Sequence, residues 1–366
     1  MSEWKEYKLG DVLTFQRGFD LPKDKMRQGN YPVAGSNGII GWHNECTTEG
    51  PGVTIGRSGN IGTPHYYKSN YWAHNTSLFI KDFKGNNPLF IYYFLKTIDF
   101  TQLNTGSAVP TLNRNHVHDL NVSMPPIEEQ KRIAGVLSSL DDKIDLLRRE
   151  NATLESLAET LFRHYFIEKP NPDWKEGIVS DFGRVICGKT PSKKIADYYG
   201  GDIPFIKIPD MHGNTFVFKS EDSLTKKGEN SQKDKTLPTD SIMVSCIATV
   251  GLVSMNAYEA QTNQQINAVV PNNDHYRYYL YCWFKSMYEE LNTMASGGTA
   301  TLNLNTGDFS RIHIPIPDKK TIETFDKHSK PIFEKIKTNQ LQILSLSAQR
   351  DTLLPRLMSS EVEVDK

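Results

Sequence analysis

The chain has 366 residues, enough for two or more domains of ordinary size. A formal net charge of −1 and a mean hydropathy of −0.50 exclude a strongly basic stand-alone nucleic-acid binder and a chain built of membrane spans. Cys46, Cys187, Cys246 and Cys282 are dispersed and form no CxxC pair, so reduced thiols are expected; residues 1–10 carry no charged-then-apolar leader, and the expected location is cytoplasmic with no membrane partner.

The opening Trp4-Lys5-Glu6, with Asp11 and Gly18 following, returns as Trp174-Lys175-Glu176, Asp181 and Gly188. Five matches at one offset of 170 indicate duplicated domains, not a short-period solenoid. The match continues with a drifting offset, as loops of unequal length require. Gly29-Asn30-Tyr31-Pro32 answers Gly201-Asp202-Ile203-Pro204, and Ile61-Gly62 answers Val250-Gly251. Asn75 answers Asn263, Tyr92-Tyr93 answers Tyr278-Tyr279, Thr111-Leu112-Asn113 answers Thr301-Leu302-Asn303, and Pro125 answers Pro315.

Within each repeat the signals are mixed. Residues 52–55, 77–80, 241–245 and 266–270 are rich in β-branched side chains and bounded by turn formers, which predicts strands. Residues 89–98 and 276–293 fit short helices. Gly35-Ser36-Asn37-Gly38 and Ser296-Gly297-Gly298 read as turns needing positive φ. Pro125-Pro126 and Pro315–Pro317 close the repeats, and Asn171-Pro172 separates the first helical stretch from the second repeat.

After each closing proline comes a long heptad seam. The first runs Ile133, Leu137, Leu140, Ile144, Leu147, Asn151, Leu154, Ala158, Leu161; with Ile133 at d, every d position is Ile or Leu. At 1.5 Å per residue the seam spans roughly 43 Å, too long to serve only as the back of a compact core. Asn151 costs stability there but can fix register. The second run, Ile322, Phe325, Ser329, Ile332, Ile336, Asn339, Ile343, Leu346, Arg350, Leu353, Leu357, supplies the partner helix. Antiparallel helices place the two globular units at opposite ends of a coiled coil, about a pseudo-two-fold axis. The fold class is therefore α+β, with two similar domains (1–126 and 170–317) separated by a central helix (127–169) and a C-terminal helix (318–366).

Catalytic motifs are weak. Asn87-Pro88-Leu89-Phe90 and Met124-Pro125-Pro126-Ile127 each match only part of the Asn-Pro-Pro-aromatic tetrapeptide of amino-methyltransferases, and no glycine-rich turn for S-adenosylmethionine lies upstream. Residues 56–62 are glycine-rich but lack the Gly-Lys-[Ser/Thr] of a phosphate loop. His116 and His118 have no companion ligands at zinc spacing, and a loop histidine pair is the simpler reading. Polar loops carry more. Ser36, Asn37, Arg57, Ser58, Asn60 and Arg114 in the first unit, and Lys189, Lys193, Lys207 and Thr249 in the second, can neutralise phosphates or bond base edges. Residues 1–126 hold 12 Lys/Arg against 10 Asp/Glu, too little charge for strong binding without a partner.

With the repeat and both helices in place, the chain resembles the specificity (S) subunit of a type I restriction-modification system over nearly its whole length. Residues 125–134, Pro-Pro-Ile-Glu-Glu-Gln-Lys-Arg-Ile-Ala, resemble the family's Pro-Pro-x-x-Glu-Gln-x-x-Ile-Ala start of its conserved helix. Residues 353–358, Leu-Leu-Pro-Arg-Leu-Met, resemble its usual C-terminus. The second helix start departs from the pattern, since it lacks the Glu-Gln pair. The resemblance implies a non-catalytic subunit with two target-recognition domains, each reading half of a bipartite sequence in double-stranded DNA. Its helices would act as a ruler and dock two methyltransferase (M) subunits. No cofactor is expected in this chain: M would bring S-adenosylmethionine, and restriction (R) subunits ATP and Mg. The rival readings are a coiled-coil protein-binding adaptor and a self-contained DNA methyltransferase.

Overall fold

The computed structural model describes residues 4–105, 108–296 and 302–362. Two compact units form, Met1–Ile144 with Leu346–Lys366, and Asp145–Ser345. Both are α+β, and both follow one plan.

The first unit closes by pairing its ends: strand Lys5–Lys8 runs antiparallel to Asn121–Met124, with Lys5 opposite Met124. Its main sheet is antiparallel in the order Thr14–Arg17, Ser77–Asp82, Gly52–Gly56, Pro64–Tyr67. A three-stranded sheet orders Gly38–His43, Tyr31–Gly35, Trp72–Ala73. Helix Pro88–Leu95 begins where Asn87 accepts the Phe90 N–H and Pro88 has no N–H to lose. Phe15, Val53, Ile55, Phe90, Leu95, Leu112 and Val117 form the core. Ile133, Ala134 and Leu137 of the central helix (Ile127–Phe162) join it, with Leu354, Leu357 and Met358 of the C-terminal helix (Lys319–Met358).

The second unit repeats this. Lys175–Ile178 pairs antiparallel with His313–Ile316, Lys175 opposite Ile316. A five-stranded sheet orders Gly183–Cys187, Ile266–Pro271, Ile242–Ile247, Thr249–Asn256, Phe216–Val217, and a three-stranded sheet orders Asp222–Leu224, Tyr199–Ile206, Gln261–Thr262. The helical run expected over 276–293 breaks at Met287 into Arg277–Ser286 and Tyr288–Ala295. Met287 leaves helical geometry (ψ 18°) while its N–H still bonds Trp283 and Phe284. Ala158, Phe162, Phe166, Phe325 and Phe333 pack into this unit's core with Phe182, Tyr279 and Phe284.

The strand pairings correct two of the repeat's matches. Leu112 N–H donates to Arg57 O in the first unit, and Leu304 N–H to Cys246 O in the second. Asn113 caps helix Arg114–His118, and Asn305 caps Thr306–Ser310. Leu112-Asn113 is therefore matched by Leu304-Asn305, not by Leu302-Asn303; Thr301 lies outside the described residues, as do Gly297 and Gly298 of the expected turn. Likewise Met124 and Ile316 hold the same place, so Pro125 answers Pro317 and not Pro315. Both segments repeat with period two (Leu-Asn-Leu-Asn, Pro-Ile-Pro), and sequence matching fits either register.

The helices run antiparallel within each unit. In the first, Arg350 Nη1 donates to Asp141 Oδ1 (2.7 Å) while Tyr93 OH donates to Asp141 Oδ2 (2.7 Å). In the second, Asn339 Nδ2 donates to Asn151 Oδ1 (2.9 Å) and Glu150 Oε2 (3.0 Å), and Lys335 pairs with Glu150. Of the seam residues, Ile133, Leu137, Ile144, Leu147, Asn151, Ala158, Ile332 and Ile336 are buried. Leu140, Leu154, Leu161, Ile343, Leu346 and Leu353 are half-buried. Asn339→Ala leaves the buried Asn151 carbonyl without its donor, an expected loss of about 1–3 kcal/mol in chemical denaturation. Asn151→Leu with Asn339→Leu is expected to restore stability, because two apolar groups leave no buried amide unpaired and Glu150 keeps Lys335.

The Glu-Gln pair at the central helix start has a structural task. Gln130 accepts the Asn87 N–H and donates to Asn86 Oδ1 (2.7 Å) and Pro125 O, while Glu129 accepts from Trp4 Nε1. In the second unit Trp174 Nε1 donates instead to Asp318 (3.1 Å), which also caps the C-terminal helix through Thr321. The repeated tryptophan is caught by a different carboxylate.

Candidate nucleic-acid interface

In each unit four segments meet at one polar edge. In the first, Gly18 N–H bonds Ser77 O and Phe19 N–H bonds Ala73 O, which brings residues 18–20 against the 74–76 turn. Arg57 and Ser58 both donate their N–H to Thr76 O, and Gly59 N–H donates to Pro110 O. In the second, Gly188 N–H bonds Ile266 O, Lys189 N–H bonds Thr262 O, Cys246 N–H bonds Gln265 O, and Ala248 N–H bonds Leu302 O. Four bonds of the frame recur at matching places. A Cβ on Gly18 would lie 2.1 Å from His74 O, and one on Gly188 2.1 Å from Asn263 O, so both repeated glycines permit one close backbone approach. Gly59 and Ala248 stand at matching places, both with left-handed φ (84° and 65°).

This frame places the expected residues. Arg57 and Ser58 are half-buried and Asn60 exposed, with Arg57 Nη1 near Asn75 O (3.5 Å) and Asn60 accepting from Thr63 (3.2 Å). The Ser36-Asn37 turn abuts them, since a Cβ on Gly56 would sit 3.1 Å from Ser36 O. Thr249, exposed, holds in the second unit the place of Asn60 in the first. Lys189 is exposed beside Thr262, and Lys193 lies exposed in the turn closed by the Ile195 N–H to Ser192 O bond. Arg114, exposed, opens a short helix two residues beyond Leu112. Lys207 differs: it is half-buried, and its hydrogen bond to Asp222 raises its pKa and already neutralises its charge. It serves the sheet before it can serve a phosphate.

Two of the glycine-loop and histidine features are structural. Gly62 packs its bare Cα against Phe100, where a Cβ would approach to 2.3 Å, so residues 56–62 form a tight turn. His118 Nε2 accepts the Phe15 N–H (2.9 Å), so that nitrogen must be unprotonated. Partial burial, then the positive charges of Arg114 and Lys84, holds the imidazole below its usual value. A histidine depressed in the folded state contributes stability that is full above 6.5 and lost as pH falls through the folded value. The unfolding midpoint of the first unit is expected to drop between pH 7 and 5, and His118→Gln to flatten that profile in a pH series of thermal melts.

The sequence reading missed the 20/74/75/76 cluster and its counterpart. It used Asn75 as a repeat marker matched to Asn263, but the frame aligns His74 with Asn263 and Asn75 with Gln264. His74 N–H donates to Ala34 O as Asn263 N–H does to Ile206 O, and Ser77 N–H bonds His74 O as Ile266 N–H bonds Asn263 O. The shared asparagine was displaced by one residue. Side chains at these turns differ at every position while the backbone bonds persist.

The profile of the type I restriction modification DNA specificity domain matches residues 1–156 and 171–344. The chain belongs to that family. It is 34% identical to the HindI specificity subunit of Haemophilus influenzae, over 75% of this chain and 77% of that one. It is 26% identical to the MjaIX specificity subunit of Methanocaldococcus jannaschii, over 76% and 69%. In fold it is similar to the crystal structure of the type I restriction-modification S subunit from M. genitalium, with a TM-score of 0.67 at 16% identity, covering 100% of this chain and 97% of the other. The two family segments each contain one copy of the polar edge. Among the described residues no helix is long and apolar enough to cross a membrane, and no cluster of three or more metal-type ligands is assembled.

Proposed function

We propose that this chain is the non-catalytic DNA-reading subunit of a type I restriction-modification complex. Residues 1–126 and 170–317 each recognise one half of a bipartite duplex target. Residues 127–169 and 318–366 fix the spacer and dock two M subunits. The observation that carries this is the polar edge built twice on one backbone frame with different side chains, as two unlike half-sites demand. The M subunits supply S-adenosylmethionine and much of the phosphate contact, which suits a near-neutral chain. R subunits supply ATP- and Mg-dependent translocation and cleavage. Exposed Leu146, Leu157 and Leu341 on the two long helices offer apolar anchors for docking.

The test is co-expression with the cognate M subunit, followed by single-molecule mapping of methylated adenines. A bipartite, asymmetric motif that appears only with this chain is expected. Methylation of DNA by the purified chain alone would favour the self-contained methyltransferase, and a reconstituted complex without any bipartite motif would favour the adaptor.

A further inference from the structure

We infer that Asn75 and Gln264 are specificity-determining side chains, each reading one adenine through its major-groove edge, with Asp20 and Thr190 as their positioning residues. The inference rests on the proposed DNA-reading function.

The two carboxamides occupy one place in the duplicated frame, and each is held by the residue two positions after the repeated glycine. Asn75 Nδ2 donates to Asp20 Oδ1, and Thr190 Oγ1 donates to Gln264 Oε1 (2.7 Å). The turn beneath them is fixed separately: Thr76 N–H donates to His74 Nδ1 (3.4 Å), and Gln265 N–H to Asn263 Oδ1 (3.2 Å). The paired side chains are thus not needed to shape the turn. Nor do they fill the core, since Asn75 is half-buried, Gln264 exposed, and the Asp20 side chain 71% exposed.

Each pairing leaves a bidentate face free. Asn75 keeps its carbonyl and one N–H, and Gln264 keeps both N–H bonds and a carbonyl lone pair. One N–H donor beside one carbonyl acceptor is the complement of adenine N7 and N6. A carboxylate facing duplex DNA would be repelled by phosphates, but Arg17 Nη2 lies 3.3 Å from Asp20 Oδ1 and compensates its charge. The two positions hold their amides from opposite ends, Asn75 through its amino group and Gln264 through its carbonyl. The two readers therefore present that amide differently to their half-sites.

The test uses the full chain in complex with its M subunit. Motifs are mapped for wild type, Asn75→Ala, Gln264→Ala and Gln264→Glu, with thermal melts to show that each folds. Asn75→Ala is expected to relax one adenine in one half-site only, with discrimination there falling roughly 5- to 150-fold. Gln264→Ala is expected to relax one adenine in the other half only, and Gln264→Glu, which keeps the oxygen that accepts from Thr190, to move the preference there from adenine towards cytosine. If a variant methylates too little to map, competition binding with duplexes altered one base pair at a time reads the same effect. Equal weakening on all duplexes, an unchanged motif, or relaxation in both halves together would overturn the inference. A wild-type complex with no bipartite motif would instead remove the function on which the inference rests.

Discussion

Replacing residues 1–126 with the matching unit of a related specificity subunit is expected to change one half of the methylated motif and leave the other half and the spacer as they were. The segment is a closed module because its ends pair with each other, Lys5–Lys8 against Asn121–Met124. Its attachment to the helices is short and specific. Trp4 bonds Glu129, Asn86 and Asn87 bond Gln130, and the core meets Ile133, Ala134, Leu137, Leu354 and Leu357. A donor unit must supply those partners, since Gln130 is buried and an orphaned amide costs about 1–3 kcal/mol. With them supplied, three altered base pairs in the exchanged half-site cost the original DNA roughly 3–9 kcal/mol of recognition, enough to abolish methylation there. Methylation mapping of the chimera reads this directly. Simultaneous change in both halves would show that the units do not read independently.

Much of this organisation was legible because it is written in long periods. The tryptophan and glycine repeat marked two units, and the three-and-four spacing gave both long helices close to their observed limits, Ile127–Phe162 and Lys319–Met358. What the sequence left open has physical causes. Leu302–Asn305 and Pro315–Pro317 repeat with period two, so only the backbone pairing, Leu304 N–H to Cys246 O and Lys175 opposite Ile316, chooses between alignments. Lys207 looks like a free cation until Asp222 is seen to hold it. Asn75 and Gln264 differ in residue type, and by eye Asn75 matches the neighbouring Asn263 instead; their equivalence lies in backbone hydrogen bonds to Gly18 and Gly188 neighbours, which sequence matching does not contain. Leu140, Leu154 and Leu161 read as d positions equal to Ile133, yet they are only half-buried, with Leu154 and Leu161 at the margin of the second unit's core.

Deleting residues 137–143 from the central helix alone is expected to abolish methylation. Seven residues are nearly two turns, so the helix face is kept within about 20°. The side chains are not. Ile144 takes the place of Leu137 in the core, but Arg148 arrives where Asp141 had accepted from Tyr93 and Arg350, setting two guanidinium groups together. A matched deletion separates this damage from the ruler itself. Removing 142–148 and 342–348 retains both the Asp141–Arg350 and Asn151–Asn339 ties while taking seven residues from each helix. The pair shortens by about 10 Å, which corresponds to roughly three base pairs of duplex. Three base pairs also turn the half-sites by roughly 100° about the DNA axis, since a turn holds about 10.5 base pairs. The expected result is a motif whose spacer is about three base pairs shorter, or loss of methylation if the duplex cannot follow that rotation. A matched deletion that methylates the original spacer at full rate would show that the helices do not set the distance between the readers.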